Sequence, residues 1–288
     1  MLRFGFVTCV QLGLTCMEAI EACGGRLQFA GTLLDEQARA KSGRVYLDDF
    51  CARTGIPLTK FRNVNDPDAV AAIAGASLDW LFIVGWSQIA RAPVLNSTRS
   101  GVLGMHPSLL PVGRGRAAVP WAIILGLTET GVTLFKMDEG VDTGPIVSQI
   151  KLPLSGRETA TSLYQRVDDA HRTLMVQAWP SLALGELTPI PQDNSRATVW
   201  EGRTPAQGRL GSKMTVNEAD RLIRAVTRPY PGAFFDMDSR RLRVWAAHPA
   251  GGSPLPPVGT ASTFPSLEFQ DGTLQVDDGD WEVPVTIE

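Results

Sequence analysis

Short apolar runs that alternate with amphipathic segments constrain the fold of this 288-residue chain more than any other feature. WLFIV (80–84) is a continuous apolar run, which is typical of a parallel strand buried on both faces. The first two-thirds of the chain contain seven predicted strands, at 4–8, 27–33, 58–61, 80–84, 102–105, 132–137 and 146–150. Apolar residues spaced three and four apart predict helices between several of them, at 14–22, 68–74 and 118–125. The alternation predicts an α/β fold, with a mostly parallel sheet covered by helices on both faces.

The alternation of strands and helices ends with a long amphipathic helix predicted at 160–184. A polar connection at 192–211 leads to TVNE (215–218), a capping-box pattern that predicts the start of another helix. Short alternating runs separated by Gly, Asp and Pro then predict antiparallel strands in AFFDM, RLRVWAA, TLQV and EVPVTI. We therefore predict an α/β domain at 1–200 and a small antiparallel barrel or sandwich at 201–288.

Charge and composition argue against several classes of protein. The net charge is −3 and the pI is about 5.7, so the chain lacks the basic balance of nucleic-acid-binding proteins. From residue 201 onward, nine Lys and Arg stand against twelve Asp and Glu. No apolar run reaches the roughly 18 residues of a membrane span, and MLRFGFVTCV at the start is predicted to be a buried strand rather than a signal peptide. The four cysteines lack metal-ligand spacing, so we expect a cytoplasmic protein without a bound metal.

His106 is one of three histidines, and it stands at the end of a predicted strand in GVLGMHPSLLP (101–111). Ligands of open α/β sheets bind at the carboxyl ends of strands, so His106 is either a catalytic residue or a histidine packed at a strand end. The acidic loop DEGVDTGP (138–145) follows the next predicted strand, and its acids are either turn formers or partners for the histidine. A histidine and an acid at the ends of two neighbouring strands favour a catalytic pair, because an acid orients an imidazole and raises its basicity.

The loop between these strands is rich in glycine and arginine, with Gly113-Arg114-Gly115-Arg116 directly before a predicted helix. Exposed N–H groups and the helix dipole suit such a loop to anion binding, and a flexible, solvated loop is the alternative.

The sequence lacks the motifs of several other enzyme classes. No GxGxxG follows the first strand, and no Walker loop, HExxH or GxSxG occurs.

In this order, the segments resemble the formyltransferases that use N10-formyltetrahydrofolate as formyl donor. This family includes methionyl-tRNA formyltransferase, sugar-nucleotide N-formyltransferases and the glycinamide ribonucleotide enzyme. The similar segments are HPSLLP (106–111), RGRAAVPWAI (114–123), TGVTLFKMDEGVDTGPI (130–146) and RLIRAVTRPYPGAFF (221–235). The resemblance covers most of the chain, loosely over residues 1–80 and tightly from about 80 to 150. It implies a Rossmann-like formyltransferase domain followed by a small OB-like β-barrel, and no metal.

The resemblance assigns catalytic roles to two residues. The family pairs a histidine from an Asn-x-His motif with an aspartate from a D-x-G-x-D-T-G segment, and the corresponding residues are His106 and Asp142. The motif asparagine, a hydrogen-bond donor to the oxyanion, is replaced by Gly104. Loss of one such donor typically costs ~2.7–4 kcal/mol of transition-state stabilisation. A backbone N–H, a water molecule or a substrate group would have to replace it, and we expect that activity survives.

The resemblance also implies two binding sites, whose residues carry weaker sequence signals. Residues implied for the folate donor are Trp86, Ser87, Gln88, Ile89, Asp138, Gly140 and Val141. Residues implied for the acceptor are Ser108, Arg114 and Arg116, of which the two arginines would meet a phosphate group.

The identity of the acceptor is left open by the sequence. RGRA (114–117) and TETGVTL (128–134) are similar to the formyltransferase of a 4-amino-arabinose nucleotide, which favours a small, nucleotide-linked amino sugar as substrate. The acidic C-terminal part argues against initiator tRNA and against nucleic acid in general. Another small amine, a catalytically impaired folate-binding protein and hydrolysis of formyl-folate without an acceptor are alternatives. A homodimer is one alternative for the oligomeric state.

Overall fold

The computed structural model describes residues 1–38, 43–237, 240–250 and 264–282. These residues form two compact units, each assembled from segments that are separate in the chain. The first unit consists of Met1–Gly115, Thr130–Pro153 and Gln165–Trp200, and the second of Arg116–Glu129, Leu154–Tyr164 and the described residues from Glu201 onward. The two domains expected at 1–200 and 201–288 stay a prediction.

A seven-stranded sheet forms the centre of the first unit. The strands up to Trp200 are β1 (Phe4–Val7), β2 (Leu27–Leu33), β3 (Leu58–Phe61), β4 (Trp80–Val84), β5 (Gly101–His106), β6 (Arg114–Gly115), β7 (Glu129–Lys136), β8 (Ile146–Pro153) and β9 (Val199–Trp200). The order in the sheet is β3-β2-β1-β4-β5-β7-β8, and β6 pairs with β9 separately. Strands β1 to β5 pair in parallel, whereas β7 runs antiparallel to β5. The predicted α/β fold with a mostly parallel sheet is thereby confirmed, and all seven predicted strands are present.

The predicted helices are also present, with ends that differ by a few residues at most. The helices are α1 (Gln11–Ala22), α2 (Asp35–Ala38), α3 (Asp48–Thr54), α4 (Pro67–Gly75), α5 (Ala92–Leu95), α6 (Ala118–Ile124), α7 (Ala160–Leu184) and α8 (Val216–Val226). In the part of the chain that the structure describes, no helix has the length and apolar character needed to cross a bilayer.

Alternation of side chains along the strands gives the sheet two apolar faces. On one face, Leu81, Ile83 and Val102 belong to a buried cluster that includes Ile73 of α4. On the other face, the ring of Phe4 packs against Trp179 of α7, with centroids 4.8 Å apart. Burial of both faces explains why WLFIV and its neighbours are continuous apolar runs.

The second unit contains an antiparallel sheet. Its strands are β10 (Ala233–Met237), β11 (Arg240–Pro249), β12 (Ser266–Phe269) and β13 (Gly272–Glu282), in the order β10-β11-β13-β12. The capping box at the start of α8 is confirmed, because Glu218 N–H donates to Thr215 Oγ1 and Thr215 N–H donates to the Glu218 carboxylate. The sheet forms a half-barrel, and all of its strand pairs are antiparallel, as predicted. Strand β12 was not predicted, and most of the predicted strand EVPVTI (282–287) lies outside the described residues.

His171 is a buried histidine on α7. Its Nδ1 donates to the carbonyl oxygen of Val167 at 2.7 Å, and its Nε2 has no hydrogen-bond partner among the described residues. Burial lowers the pKa of His171 from 6.5 to about 4, and the charge of His106 acts in the same direction. The folded protein therefore keeps His171 neutral.

The buried His171 predicts a loss of stability in mild acid. Below pH 6.5 the unfolded chain binds a proton at His171 that the folded chain excludes until about pH 4. Between about pH 7 and about pH 5, this difference removes about 2 kcal/mol from the free energy of unfolding. In His171→Leu the pH dependence is expected to be shallower by that amount, as measured by urea unfolding at both pH values. An equal pH dependence in the two proteins would contradict the prediction.

Candidate active site

His106 and Asp142 face each other in the first unit. Nδ1 of His106 lies 3.4 Å from Oδ2 of Asp142, and the two side chains are only 10% and 15% exposed. Nε2 of His106 lies 2.7 Å from the carbonyl oxygen of Gly113. Because a carbonyl oxygen only accepts hydrogen bonds, Nε2 carries a hydrogen and donates it to Gly113. Nδ1 is therefore the ring atom available to take up a proton, and the Asp142 carboxylate stabilises the charge that results.

Asp142 reaches His106 by a route that the sequence did not suggest. Leu103, near the start of β5, pairs with Lys136, the last residue of β7. Because β5 and β7 are antiparallel, their C-terminal ends lie at opposite ends of the strand ladder. The positions of the strand ends alone therefore do not bring His106 and Asp142 together. The chain turns back after β7, and Asp142 adopts a left-handed conformation with φ of 54°. Its Oδ2 accepts a hydrogen bond from the N–H of Gly115 at 2.9 Å, which holds the carboxylate in place.

Two glycines allow backbone groups to approach the pair. Gly113 and Gly115 have φ values of 74° and 106°, which side-chain-bearing residues rarely adopt. A Cβ atom at Gly113 would lie 2.3 Å from the Trp200 ring, and one at Gly115 would lie 2.3 Å from the Trp200 carbonyl oxygen. Both positions therefore need glycine, for their backbone conformation and for the close packing of Trp200.

Gly104, where the motif asparagine would stand, is covered by apolar side chains. A Cβ atom here would lie 3.0 Å from two ring carbons of Phe135 and 3.2 Å from the terminal methyl group of Met137. Gly104 and Phe135 are directly opposite in the β5–β7 ladder, and the Phe135 side chain is buried. Neither a phenyl ring nor a thioether donates a hydrogen bond to an oxyanion. The side chains next to Gly104 therefore do not replace the missing donor.

The packing around Gly104 predicts that restoring the asparagine destabilises the protein. Gly104→Asn is expected to lower the free energy of unfolding by about 1–3 kcal/mol, because an overpacked core forces neighbours to shift. Phe135→Leu makes room, so the double variant is expected to be more stable than the sum of the two single effects. Urea unfolding of the four proteins measures this coupling, and strictly additive effects would contradict it. The wild-type protein is expected to be active, so Gly104→Asn is not required for turnover.

Two of the three residues predicted to bind the acceptor have their polar groups engaged by the protein. Ser108 is buried and donates to the carbonyl oxygen of Val112 at 2.7 Å. Arg114 is also buried, and its guanidinium donates to the side chains of Gln192 and Asn194. These contacts give both residues a structural use, and their binding of substrate stays a prediction.

Arg116 differs from Arg114 although the two are separated by one residue. It belongs to the second unit and its side chain is exposed. Among the described residues, no hydrogen bond or ion pair engages its guanidinium. Arg116 is thus the predicted acceptor ligand whose charge is available to a phosphate, and that role also stays a prediction.

The first loop predicted to bind the donor follows β4, which is parallel to β5 and ends at the same edge of the sheet as His106. The Trp86 ring packs edge-on against Phe61, with centroids 5.7 Å apart. The Gln88 side chain is used within the protein, because its Oε1 accepts from Val64 N–H and its Nε2 donates to the Arg62 carbonyl oxygen. Ser87 also lies in this loop. Ile89, by contrast, is 60% exposed, so its side chain is open to contact with a ligand.

The second loop predicted to bind the donor is DEGVD (138–142). Oδ1 of Asp138 accepts from Gly140 N–H at 3.1 Å and from the Thr143 hydroxyl at 2.6 Å, so Asp138 shapes its own loop. Val141 is 47% exposed, a second large apolar side chain open to solvent. A surface cavity of about 350 Å³ borders Asp138 and Glu139 at the start of this loop. The donor-binding roles of both loops stay predictions.

Gln192 and Thr198 contribute to the site although no sequence signal identified them. Gln192 Nε2 donates to the carbonyl oxygens of Asp142 and Gly144, at 2.8 and 2.7 Å. Thr198 Oγ1 accepts from Gly113 N–H at 2.8 Å. Both residues come from the polar connection after α7, where nothing in the local sequence marks them as partners of the site.

The first unit is an α/β fold that carries a histidine–aspartate pair largely shielded from solvent, an arrangement that can transfer protons. In the described ranges, no group of three or more His, Cys, Asp or Glu side chains is arranged to hold a metal ion. Residues 37–179 match the family model described as formyl transferase, and residues 203–280 match the model of the formyl transferase C-terminal domain. The chain belongs to the formyltransferase family, and the resemblance seen in the sequence is confirmed.

Solved structures of similar fold include three kinds of protein. An N-formyltransferase from Helicobacter canadensis, in complex with folinic acid and dTDP-3-aminofucose, superposes with a TM-score of 0.70 at 16% identity, covering 97% of this chain and 100% of that one. Methionyl-tRNA formyltransferase from Clostridium thermocellum gives 0.63 at 18% identity, with 98% and 99% coverage. HypX from Aquifex aeolicus, in complex with tetrahydrofolic acid, gives 0.66 at 16% identity, covering 96% of this chain and 43% of that one. At these identities the likeness establishes the fold alone.

Proposed function

We propose that this enzyme transfers a formyl group from N10-formyltetrahydrofolate to a primary amine, and that the amine belongs to a nucleotide-linked amino sugar. The observation that carries the proposal is the buried pair of His106 Nδ1 and Asp142 Oδ2, 3.4 Å apart, in a chain of the formyltransferase family. Such a pair supplies the proton transfers that acyl transfer to an amine requires.

The proposed reaction moves one proton from the amine to the folate. The amine nitrogen attacks the formyl carbon, and the carbonyl electrons move onto the formyl oxygen. The attacking nitrogen gives a proton to Nδ1 of His106, whose positive charge is stabilised by Asp142. When the intermediate collapses, the bond to N10 breaks and N10 takes up that proton. The products are a formamide and tetrahydrofolate.

The donor assignment is supported by the exposed apolar side chains of the two predicted donor loops. Ile89 and Val141 are open to solvent, and Trp86 adds an aromatic ring that is only partly buried. Apolar walls with a few convergent polar groups are typical of sites for planar ligands such as a pterin. The structures from H. canadensis and A. aeolicus were determined with folinic acid and tetrahydrofolic acid, which also favours a folate donor.

The acceptor assignment rests on charge. The exposed Arg116 directly follows Gly115 in the chain, and Gly115 N–H donates to Asp142, so a cation without a partner among the described residues stands next in sequence to a residue of the site. A nucleotide diphosphate carries the opposite charge. The acidic balance after residue 201, nine basic against twelve acidic residues, disfavours the many phosphates of a tRNA. The likeness to methionyl-tRNA formyltransferase over 98% of the chain keeps initiator tRNA as the second candidate acceptor.

The test is release of tetrahydrofolate from N10-formyltetrahydrofolate by the wild-type protein, with and without a panel of acceptors. The panel contains dTDP-linked and UDP-linked amino sugars, simple primary amines and methionyl-tRNA, and products are identified by mass. Release that depends on an amino-sugar nucleotide, with a product heavier by the mass of CO, would support the proposal. Transfer to methionyl-tRNA alone would replace the acceptor assignment. Release of formate without any amine would identify a hydrolase, and donor binding without turnover would contradict enzymatic transfer.

A further inference from the structure

We propose that Gln192 and Arg114 are positioning residues that fix the Asp142 carboxylate beside the imidazole of His106. The proposal rests on the proposed function only in so far as it treats His106 and Asp142 as the reacting pair. Gln192 lies in the polar connection after α7, which neither of the two family models covers.

Residues 190–200 form a strap across the loops that carry the pair. At its beginning, Ile190 and Ile146 exchange backbone hydrogen bonds of 2.7 and 2.8 Å, which anchors the strap to β8. At its end, β9 pairs with β6, so that Val199 lies opposite Arg114. Between these anchors, the side chains of Gln192 and Thr198 reach the two loops. The strap is thus fixed at both ends, as a positioning element requires.

The Gln192 amide is fully committed, and its orientation is determined by chemistry. Arg114 donates to Oε1 of Gln192 from Nε at 3.1 Å and from Nη2 at 2.8 Å. A guanidinium has no acceptor, so Oε1 must face Arg114 and Nε2 must face the opposite side. There Nε2 donates to the carbonyl oxygens of Asp142 and Gly144. Arg114 therefore orients Gln192, and Gln192 holds the backbone of Asp142.

Asp142 needs this support because its backbone conformation is unfavourable for a residue with a side chain. A φ of 54° lies in the left-handed region, which persists where surrounding contacts determine it. The contacts are the Gln192 amide on its carbonyl oxygen and the Gly115 N–H on its carboxylate. Without the amide, the backbone at Asp142 can relax toward an ordinary conformation, which moves the carboxylate away from His106.

The same strap also fixes the other member of the pair. Thr198 accepts a hydrogen bond from Gly113 N–H, and the Gly113 carbonyl oxygen accepts from Nε2 of His106. One chain of contacts thus runs from Gln192 to Asp142, and another from Thr198 to His106. Because both begin on one strap, the separation of 3.4 Å between Nδ1 and Oδ2 depends on it.

The test compares Gln192→Met with a matched control, Gln28→Met. Both variants replace a glutamine by a side chain of similar shape that forms no amide hydrogen bonds. Gln28 Oε1 accepts a hydrogen bond from Phe4 N–H on β1, and Gln28 Nε2 donates to the carbonyl oxygen of Arg26, just before β2. These contacts are remote from the His106–Asp142 pair, both along the chain and in the sheet. Gln192→Met is expected to lower kcat up to about 100-fold, since small displacements of a reacting group have effects of that size. The KM for N10-formyltetrahydrofolate and the activity of Gln28→Met are expected to stay within about threefold of wild type.

Two further measurements separate positioning from loss of structure. Gln192→Met is expected to have little effect in the Asp142→Asn background, because Gln192 acts through that carboxylate. Ring signals of 13C-labelled histidine, at one fixed pH, are expected to shift for His106 in Gln192→Met and to stay in place in Gln28→Met, with His248 as internal reference. Unchanged His106 signals would overturn the proposal whatever reaction the protein catalyses. An equal loss of kcat in both backgrounds, or in Gln28→Met, would overturn it as well. A wild-type protein without formyl transfer, but with the His106 shift, would overturn the proposed function and leave the positioning role supported.

Discussion

His106→Ala is expected to abolish formyl transfer while donor binding stays close to that of the wild-type protein. The substitution removes Nδ1, the atom available to take the proton, and general acid–base groups contribute about 100- to 10,000-fold to rates. We therefore expect kcat to fall at least about 1000-fold. Asp142 lies in the second predicted donor loop, but its hydrogen bonds from Gly115 N–H and from Gln192 Nε2 do not involve the imidazole, so we expect both donor loops to keep their shape. Tetrahydrofolate release measures the first effect, and titration with the donor measures the second.

The second unit offers a matched control for this variant. His248 Nδ1 lies 2.8 Å from Oδ1 of Asp277, so the chain contains another buried histidine–aspartate pair. His248→Ala breaks a pair of the same chemistry and is expected to leave kcat unchanged. Retained turnover in His106→Ala would remove this residue from the mechanism. A comparable loss in His248→Ala would show that the effect comes from general destabilisation.

Much of the fold could be predicted because its determinants are local. WLFIV is continuous because β4 is buried on both faces, and TVNE (215–218) marks the start of α8 because the capping box is made within four residues. The α/β class could be predicted because strand-like and helix-like segments alternate along the chain. Strand β12 was missed because SLEF is a short edge strand with few signals of its own.

The site could be predicted only where a motif carries it. His106 and Asp142 were found because the resemblance fixes them residue by residue, and the structure brings them together. The direction of β7 could not be predicted, because pairing with β5 leaves the same apolar pattern in either direction. Gln192 was missed because it lies 50 residues from Asp142 in the chain, and a single hydrogen bond between a side chain and a distant carbonyl oxygen has no periodicity. The packing of Phe135 against Gly104 could not be predicted either, because it depends on the register in which β5 pairs with β7.

The second large effect is expected for Asp142→Asn, which should reduce kcat at least about 100-fold. The asparagine oxygen can still accept from Gly115 N–H, so the loop is expected to keep its shape. The negative charge is lost, and with it the stabilisation of a proton on Nδ1 of His106. Measurement of kcat, with donor affinity determined separately, checks the prediction.

Asp277→Asn is the matched control for this charge removal, because Asp277 also pairs with a histidine at 2.8 Å but lies in the second unit. Its kcat is expected to equal that of the wild-type protein. A small effect of Asp142→Asn would mean that a different acid serves His106, and Asp138 and Glu139 in the same loop would be tested next. A full effect in Asp142→Asn, together with none in Asp277→Asn, would show that turnover depends on the carboxylate beside His106 and not on histidine–aspartate pairs in general. The sequence places Asp142 six residues after β7, and only the turn back of the chain, with φ of 54° at Asp142, brings its carboxylate to His106.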